Sequence, residues 1–549
     1  MFNRRLVAIA FTIAIGAFLT ATPLRADEPE SDEQRLKKFL GGSDPERALD
    51  YLGKQVLTED AKAKLKNIIG QMGDRTFKVR QEASREIVKA GPAAIPLLRD
   101  ALTNPDREVA SRAKRCIEDI NSGSSADLPS AAVRHLVKLK NEKAVDAFLA
   151  IYPAAGTESL QAELLNGLIA LGVNGKNVHP SLAKALDDAS APRRAAAVQI
   201  LLSSADKDVR KPVKAKLKDP DATVRYYAAT GLVTTGERDA VPVLIGLIKD
   251  SPDPMHWQHA EECLYGIAGE QSRPIEVGEG KTEDRTRVAD AWAAWWKAYG
   301  GQILLGQKED YPLDSAVVTE TTGRVWEWRA DGKPRFDFKD AASPVDARLL
   351  PGKRVLIADE RGRRVTERDF SGKLIWEKTF DDEGPVSVQR LPNGNTFVAL
   401  YSRVVEVRRD GQIVSSLFIA SDGRISDANK LPDGRIGCLT TDNKLYLLNP
   451  EGKVLKEVET ESYGGVEALP NGNILVSQTQ VNKIIEVDKT GATVWQCQIP
   501  GAWVGSRQRD GTTLVASQTQ AKMYKVDKDG KTIIWERAIE GRPHAMHWR

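Results

Sequence analysis

The 549-residue sequence contains only four cysteines and six histidines, so it is poor in the residues that build disulfide frameworks and metal sites. The cysteines are flanked by periodic apolar residues and lie far apart, at Cys116, Cys263, Cys438 and Cys497. No Cys-x-x-Cys pair is present, which excludes the usual zinc and redox motifs. We interpret all four as small buried hydrophobic residues, although a Cys438–Cys497 bridge stays open. His256 and His259 have a helical spacing that suits a metal ion, but no further ligand is evident, so neither a metal nor a cofactor is predicted.

An excess of charge of one sign is also absent. The chain has 79 Lys and Arg against 76 Asp and Glu, a formal net charge of +3. Arg4, Arg5 and Arg25 lie in the first 26 residues, which contain no acid, so the remaining chain is neutral. A neutral chain lacks the positive charge that proteins use to bind phosphate backbones. The sequence therefore excludes nucleic acid as an expected partner.

Long hydrophobic runs are missing after the first twenty residues. Residues 6–20 form one apolar run behind Arg4 and Arg5. A spanning helix needs about 20 apolar residues, whereas the core of a signal peptide has roughly 7–15. We predict a signal peptide over 1–26, cleaved after Ala26, with an uncleaved N-terminal anchor as the alternative. The predicted product is an exported protein, periplasmic or extracellular, with no transmembrane segment after removal of the signal.

What the sequence does contain is repetition, which is helical over residues 33–300. In the clearest stretch, from Met72 to Ile120, apolar residues at helical spacing alternate with breaks at Gly, Pro and Asp. Asp in such a turn can cap the next helix, and Pro just inside a helix start costs little. One helix pair alone cannot bury its apolar stripe, but stacked pairs can. The pattern predicts an α-solenoid.

Two segments of this region carry a family resemblance. Residues 219–229 read Asp-Pro-Asp-x-x-Val-Arg-x-x-Ala-Ala, and residues 73–83 contain a related Gly-Asp and Val-Arg-x-x-Ala pattern. They resemble HEAT-like repeats of the phycobilisome-lyase type, with degenerate units between 125 and 190. The resemblance implies a partner-binding scaffold. It also implies that Arg80 and Arg225 bond along the solenoid spine; contact with a partner is the alternative.

The helical region ends in a tryptophan-rich segment. Trp292, Trp295 and Trp296 lie on one face of a helix because they are three and four residues apart. So much flat apolar surface usually forms a buried seam. We expect this helix to cap the solenoid and to dock the next domain, after a linker at 301–311.

From residue 312 to 549 the period becomes strand-like. A glycine turn recurs every 39 to 41 residues, at Gly332, Gly372, Gly411, Gly452, Gly491 and Gly530. A second turn, with Pro-Asn-Gly or Pro-Asp-Gly in three copies, recurs out of phase with the first. Asn-Gly and Asp-Gly suit tight hairpins that need positive φ. Four short strands per ~40 residues form a β-propeller blade.

The two ends of this region predict how the ring closes. The first glycine turn lacks an inner strand before it, and residues 542–548 resemble the missing strand. Closure by the last strand would remove the exposed edges of the ring. The fold prediction is an α-solenoid followed by a six-bladed β-propeller closed by its C-terminal strand.

Two motifs of the propeller carry a second resemblance. Residues 391–398, Leu-Pro-Asn-Gly-Asn-Thr-Phe-Val, and residues 486–495, which end in Thr-Val-Trp, are similar to PQQ-like and arylsulfotransferase-type repeats. The recurrent Trp376, Trp495 and Trp535 are interpreted as blade-packing residues. Arylsulfotransferases imply a histidine nucleophile with further histidines and an arginine, and quinone dehydrogenases imply a pair of adjacent cysteines. Neither set is present, so catalysis is not supported.

Alignment of the inner strands predicts a polar ring around the central channel. Residues two apart share a strand face, and the aligned polar residues are Asp346, Arg348, Ser387, Gln389, Asp427, Asn429, Glu467, Ser506 and His544. These residues either form a ligand site or satisfy neighbouring backbone groups and channel water.

The leading functional prediction is an exported, non-enzymatic scaffold that binds protein partners through both domains, with a small polar ligand or carbohydrate at the channel. One alternative is an extracytoplasmic enzyme that uses the channel, either quinone-dependent dehydrogenase-like or arylsulfotransferase-like. Carbohydrate or cell-wall binding through aromatic residues such as Trp503 is a third reading.

Overall fold

The computed structural model describes residues 31–123, 125–269, 281–306, 315–320, 322–329, 332–508, 510–539 and 541–548. The predicted signal peptide, residues 1–26, lies outside the described residues, as do residues 307–311 of the predicted linker.

The first half of the described chain is helical. Its helices are α1 Asp32–Leu40, α2 Pro45–Gly53, α3 Glu59–Gln71, α4 Phe77–Ala90, α5 Ile95–Ala101, α6 Arg107–Ser122, α7 Leu128–Lys138, α8 Ala144–Ile151, α9 Glu158–Gly172, α10 Pro180–Ala185, α11 Ala191–Leu202, α12 Lys207–Arg210, α13 Ala222–Thr234, α14 Ala240–Asp250, α15 Pro254–Ala268 and α16 Thr282–Tyr299. A short hairpin, β1 Val173–Asn174 and β2 Asn177–Val178, follows α9.

The residues of the repeated turn at 219–229 make the bonds that their residue types predict. Asp221 accepts hydrogen bonds from the backbone N–H groups of Thr223 and Val224 and so caps α13. One turn later, Arg225 donates to the carbonyls of Asp219 and Pro220 at 2.8 and 2.9 Å. Arg80 bonds the two carbonyls before α4 in the same way. Both arginines therefore bond within the solenoid, as the repeat pattern implies.

The helices pack around two separate apolar cores, which the sequence pattern did not indicate. Helices α3 to α6 bury their own core, which includes Met72, Ile87, Leu98 and Cys116. Helices α1 and α2 skip this module and pack on α7 and α8, so the main core runs from Leu36 to the end of the helical region. The α3–α6 module is thus an excursion from the main stack.

The second half forms six four-stranded antiparallel sheets. Blade 1 is β3 Ser315–Glu320, β4 Arg324–Arg329, β5 Asp337–Phe338 and β26 Ala545–Trp548; blade 2 is β6 Pro344–Leu350, β7 Arg354–Asp359, β8 Arg364–Asp369 and β9 Leu374–Thr379; blade 3 is β10 Pro385–Arg390, β11 Thr396–Leu400, β12 Arg403–Val407 and β13 Ile413–Phe418; blade 4 is β14 Ile425–Lys430, β15 Ile436–Thr440, β16 Lys444–Leu448 and β17 Val454–Glu459; blade 5 is β18 Val466–Ala468, β19 Ile474–Gln478, β20 Lys483–Val487 and β21 Thr493–Gln498; blade 6 is β22 Ala502–Arg507, β23 Thr513–Ser517, β24 Lys522–Val526 and β25 Ile533–Ala538.

The ring closes as the sequence predicts. The last strand, β26, pairs antiparallel with β3 and forms the inner strand of blade 1. The repeated glycines of the outer turns, such as Gly411 and Gly452, have φ of 81° and 85°, which explains their recurrence. Each pair of neighbouring blades encloses its own apolar cluster, so the core is divided around the ring.

The solenoid docks on the propeller face that carries the turns after the inner strands. Gly394, in such a turn of blade 3, has a φ of 82° and lies against the backbone of Gln258 in α15; a Cβ there would come within 2.7 Å of the Gln258 Cβ. Glu158 and Ser159, at the start of α9, contact Lys430 and Glu451 of blade 4. The opposite face, with the turns that precede the inner strands, lies away from these contacts.

The tryptophan-rich helix α16 packs against α15, one of the helices that contact the propeller. Trp292 is buried and packs edge-on against Tyr265 of α15 at 5.0 Å between ring centroids. Trp296 stacks on Arg238 at 4.8 Å. Within the described residues, the hydrogen bonds and ion pairs from solenoid to propeller come from α9 and α15 rather than from α16.

Candidate functional site

The predicted polar ring lies on the inner strands, and most of its members bond to the next blade. Asp346 and Asp427 accept from the backbone N–H groups of Val388 and Val466, at 2.9 and 2.8 Å. Glu467 accepts from the Arg507 N–H and the Ser506 hydroxyl. The remaining inter-blade bonds follow the same rule, with Ser387 to the Ala428 backbone, Gln389 to the Lys430 backbone, and Asn429 to the Val466 carbonyl.

These contacts show what the polar ring does in the fold. Ser506 bonds the side chain of Glu467, and each of the other side chains satisfies a backbone group of a neighbouring inner strand, so the ring links consecutive blades around the channel. This is the second of the two readings that the sequence left open. Binding of a ligand by the same residues stays a prediction.

The closing strand has a different register from the one that the inner-strand alignment assumes. His547 pairs with Val317, which faces Glu327, just as Gln389 pairs with Phe397, which faces Glu406. His547 is therefore level with Gln389 and Arg348, and Ala545 is level with Asp346, so the alignment that placed His544 in the ring is shifted by one residue. The glycine turns that follow the other inner strands anchor their alignment, whereas β26 was aligned from its strand residues alone, which explains the shift.

His547 was missed as a site residue, and it forms the tightest polar cluster of the channel. Its Nε2 lies 2.7 Å from Asp346 Oδ1, and its Nδ1 lies 2.7 Å from Arg348 Nη1. Arginine can only donate, so Nδ1 must accept and Nε2 must carry the proton. Burial and the Arg348 charge lower the pKa of His547. The imidazole is therefore neutral, with its tautomer fixed by the two neighbours.

His544, the predicted channel histidine, lies nearer the open face. Its Nδ1–H donates to the Val345 carbonyl at 2.9 Å, and its ring lies 5.4 Å from that of Trp503 between centroids. Because the carbonyl occupies Nδ1, only Nε2 remains for another partner. His544 and Trp503 form an aromatic edge of the channel on the side away from the solenoid.

Two carboxyl groups of the ring have pKa values close to neutral pH. Burial raises the pKa of Asp427 to about 7, and the nearby Asp346 carboxylate adds to the effect. Burial likewise raises the pKa of Glu467 to about 7, against the opposing bonds from Arg507 and Ser506. Asp427 Oδ1 is buried and has no hydrogen-bond partner. Asp427 is thus the ring member with an unused acceptor.

His256 and His259, the solenoid histidines whose spacing would suit a metal ion, have other partners. His259 Nδ1 bonds the Tyr226 hydroxyl at 2.5 Å, and His256 Nδ1 bonds Ser251 at 3.0 Å. No cluster of three or more His, Cys, Asp or Glu side chains suited to a metal ion occurs in the described part of the chain.

A second polar cluster, also missed from the sequence, joins the solenoid to the propeller. Arg354, the first residue of β7, is 1% exposed. Its guanidinium bonds Glu262 of α15 at 2.7 and 3.2 Å and Glu367 of its own blade at 2.8 Å, and it lies 3.9 Å from the Tyr265 ring centroid. Glu367 also accepts from Arg390 and Arg409. We call Glu261, Glu262, Arg354, Glu367, Arg390 and Arg409 the docking cluster.

The docking cluster contains three acids and three arginines, and its environment shifts the pKa values of Glu367 and Glu261 in opposite directions. The three arginines hold the pKa of Glu367 well below its usual range, although burial opposes them. Burial raises the pKa of Glu261 to about 8, and its Oε1 has no hydrogen-bond partner. Glu261 is therefore the acid of the cluster that holds a proton at neutral pH.

The repeat pattern gives no sequence signal for this cluster. In the other complete blades the residue level with Arg354 is Asn395, Arg435, Asn473 or Thr512, so an arginine at this position is not confined to blade 2. Asn395 and Asn473 bond the glutamates that are level with Glu367, so the Arg354–Glu367 bond belongs to the repeat and only the bonds to Glu262 reach the solenoid.

Two parts of the chain match known families. Residues 179–265 match the model for HEAT repeats. Residues 441–546 match the PQQ-type model described as outer membrane protein assembly factor BamB. The chain carries HEAT repeats and a PQQ-type propeller. Both resemblances predicted from the sequence are therefore confirmed, together with the fold class.

Several solved structures resemble the chain at low identity. A protein of unknown function from Bacteroides caccae aligns at 14% identity and a TM-score of 0.38, covering 42% of this chain and 98% of that chain. A streptogramin B lyase aligns at 14% and 0.36, covering 42% and 82%. Virginiamycin B lyase from Staphylococcus aureus aligns at 14% and 0.34, covering 42% and 86%. These scores are too low to assign a function to the PQQ-type propeller.

No curated protein matches the sequence. Across the described residues, every helix is too short or too polar to cross a bilayer.

Proposed function

We propose that the protein is an exported, non-enzymatic scaffold that binds protein partners on the HEAT solenoid and the PQQ-type propeller together. The observation that carries this proposal is the docking cluster. A buried arginine bonded to carboxylates of both domains gives them one relative orientation, because separating them would strand charges that are costly to leave unpaired. A partner that touches both domains then meets a surface of fixed shape, and its two contacts add as avidity.

A cavity shared by the two domains supports the same proposal. It has a volume of about 440 Å³ and lies between the ends of α6, α7 and α9 and the outer turn of blade 4. Glu451 forms one wall and accepts from the backbone N–H and the hydroxyl of Ser159, at 3.0 and 2.5 Å. A carboxylate at the start of a helix is stabilised by the helix dipole. Because residues of both domains line the cavity, its shape depends on their docking.

The proposed place of action is the periplasm or the outside of the cell. The support is the basic and apolar segment at residues 1–26 together with the match of the propeller to outer membrane protein assembly factor BamB. Expression of the full chain in a bacterial host, with and without residues 1–26, tests export. We expect a shortened product outside the cytoplasm only when the segment is present.

A second candidate function is recognition of a small polar ligand or carbohydrate in the channel. The observation that favours it is the unused acceptor of Asp427 beside the Arg348–His547 pair. Among the described residues of the channel, His547 is bonded on both nitrogens and His544 on one, an arrangement that favours ligand binding in this proposal.

Chemical assays separate the scaffold from the enzymatic alternatives. A quinone-dependent enzyme would bind its cofactor with Ca²⁺ and gain absorbance, and a sulfotransferase would lose activity on His544→Ala. For a scaffold we expect neither result. We expect instead that cross-linking of the full chain in its exported compartment, read by mass spectrometry, joins one protein partner to both the solenoid and the propeller. Cofactor-dependent turnover without such a partner would refute the proposal.

A further inference from the structure

The outer strands of the propeller blades end the sheets, so each leaves one row of backbone groups unpaired. In five blades the residue after the outer strand donates its N–H to the neighbouring strand, as Ile419 does to the Ser402 carbonyl at 3.0 Å. Bonding toward the neighbour alternates along an antiparallel strand. Ser416 and Phe418 of β13 therefore point their backbone N–H and C=O groups toward the free edge.

At the position of Ser416, three other blades carry a charged residue. Glu377, Glu457 and Glu536 occupy it in blades 2, 4 and 6, and each is paired with a basic residue of the adjacent strand at 3.3, 2.6 and 2.8 Å. Blade 5 has Gln496 there. Charged residues on an edge strand prevent it from pairing with other chains. Blades 3 and 5 lack this charge, and blade 3 has the short side chain of Ser416 in its place.

The rest of β13 is uncharged as well. Its sequence, Ile-Val-Ser-Ser-Leu-Phe, contains no charged residue, as is also true of the outer strand of blade 5, whereas the outer strands of blades 2, 4 and 6 each contain at least two. Phe418 is 67% exposed, and Ile413 and Val414 are exposed as well. A bulge opposite Glu406 distorts the first half of the strand, so the straight, unprotected edge is the second half, around Ser416 and Phe418.

Acidic residues lie at the end of β13 where Phe418 is located. Arg403, which pairs with Phe418 across the sheet and stacks on its ring, bonds Asp382. Glu383 bonds Ser402 next to it, and Asp381 is exposed in the same loop. A strand that added here in the antiparallel direction would bring its N-terminal end to these acids.

We propose that β13 is a docking edge for an extended segment of a partner protein, one with basic residues followed by alternating β-branched residues. The segment adds as a fifth antiparallel strand to blade 3, its backbone bonds those of Ser416 and Phe418, and its basic end faces the acidic loop. Strand addition is a common mode of peptide recognition in which main-chain bonds give affinity. The proposal rests on the scaffold function and names one of its binding surfaces.

The test uses the full chain and a labelled octapeptide of two lysines followed by alternating valine and threonine. Fluorescence anisotropy gives the affinity, and hydrogen exchange gives the protection of residues 413–418. The control peptides carry two glutamates instead of the lysines, or the lysines at the C-terminal end. Ser416→Glu installs the residue that three other blades tolerate, and Gln496→Glu is the matched control on blade 5.

We expect Ser416→Glu to weaken binding of the basic peptide at least tenfold and to remove the protection, with Gln496→Glu changing the affinity less than twofold. Both control peptides should bind at least tenfold more weakly to the wild type. Equal binding by the wild type and Ser416→Glu would overturn the proposal. So would a concentration-dependent dimer that Ser416→Glu abolishes, because the occupant would then be a second copy of the chain.

The outcome is separable from that of the scaffold proposal. Peptide binding that depends on Ser416, without any partner cross-linked in the exported compartment, would uphold the docking edge and contradict the scaffold. A cross-linked partner that contacts the propeller elsewhere, with no peptide binding at β13, would do the reverse.

Discussion

Arg354 of the propeller and Glu262 of the solenoid form a buried, two-bond ion pair at 2.7 and 3.2 Å, and this pair joins two domains that are each built from repeats. The arginine also bonds Glu367 of its own blade, so its guanidinium is bonded to a carboxylate of each domain. The docking of the domains is therefore as specific as the packing inside them.

Loss of one partner from this pair should be costly. Glu262→Ala leaves the Arg354 charge buried with one partner fewer, and breaking a buried pair costs about 3–5 kcal/mol. We expect calorimetry to show one unfolding transition for the wild type and separate solenoid and propeller transitions for Glu262→Ala. The matched control is Glu158→Ala, which removes a pair with Lys430 in which the glutamate is largely exposed; such a pair contributes at most about 1 kcal/mol. Equal effects of the two substitutions would contradict the role of Glu262.

Stability should depend on pH through Glu261. Burial raises its pKa from 4.5 to about 8, so the folded protein holds the proton more tightly than the unfolded chain does. The stabilisation is complete below the unfolded pKa and is lost as pH rises through the folded one. We expect the melting temperature of the wild type to fall relative to Glu261→Gln between about pH 5 and pH 8. A constant difference over this range would show that Glu261 is ionised in the fold.

Closure of the ring should depend on His547 more than on His544. His547→Ala removes two short bonds to Asp346 and Arg348, and hydrogen bonds to charged groups are worth about 1.5–3 kcal/mol each. His544→Ala removes one bond to a carbonyl, worth about 1 kcal/mol. Denaturant unfolding followed by circular dichroism measures both. If His544→Ala proved the more destabilising, the register of β26 described above would be wrong.

The channel prediction can be tested without knowing the ligand. Asp427→Asn combined with Arg348→Met removes the unused acceptor and the neighbouring charge, and we expect the ring to remain folded because the other inter-blade bonds persist. Native mass spectrometry of protein purified from its exported compartment should then show a bound mass on the wild type that is absent from the double variant. An identical spectrum for both proteins would leave the polar ring with its blade-linking role alone.

The repeats explain why the sequence predicts the fold so well. The glycine turns recur because positive φ demands glycine at each of them, so their spacing counts the blades, and the first blade's missing strand predicts the closure by β26. In the solenoid, Asp221 and Arg225 mark a helix start for the same kind of local reason.

The contacts between repeats were not predictable in this way. Helical periodicity does not say which helices share a core, so the excursion of α3–α6 was missed. Most of the predicted polar residues lie on the inner strands, but the closing strand was shifted by one residue, and the bonds to the next blade depend on the stagger between strands. Arg354 and Glu262 meet only because the two domains dock, and nothing in either repeat pattern indicates which faces touch.

We propose that solenoid and propeller form one platform of fixed geometry. Spin labels at Lys249→Cys in the solenoid and Lys489→Cys in the propeller, both exposed positions, allow the distance between the domains to be measured by electron–electron double resonance, because three native cysteines are buried and the fourth is partly buried. We expect one narrow distance peak in the wild type and a broader peak in Glu262→Ala. A broad or multiple distribution in the wild type would contradict it.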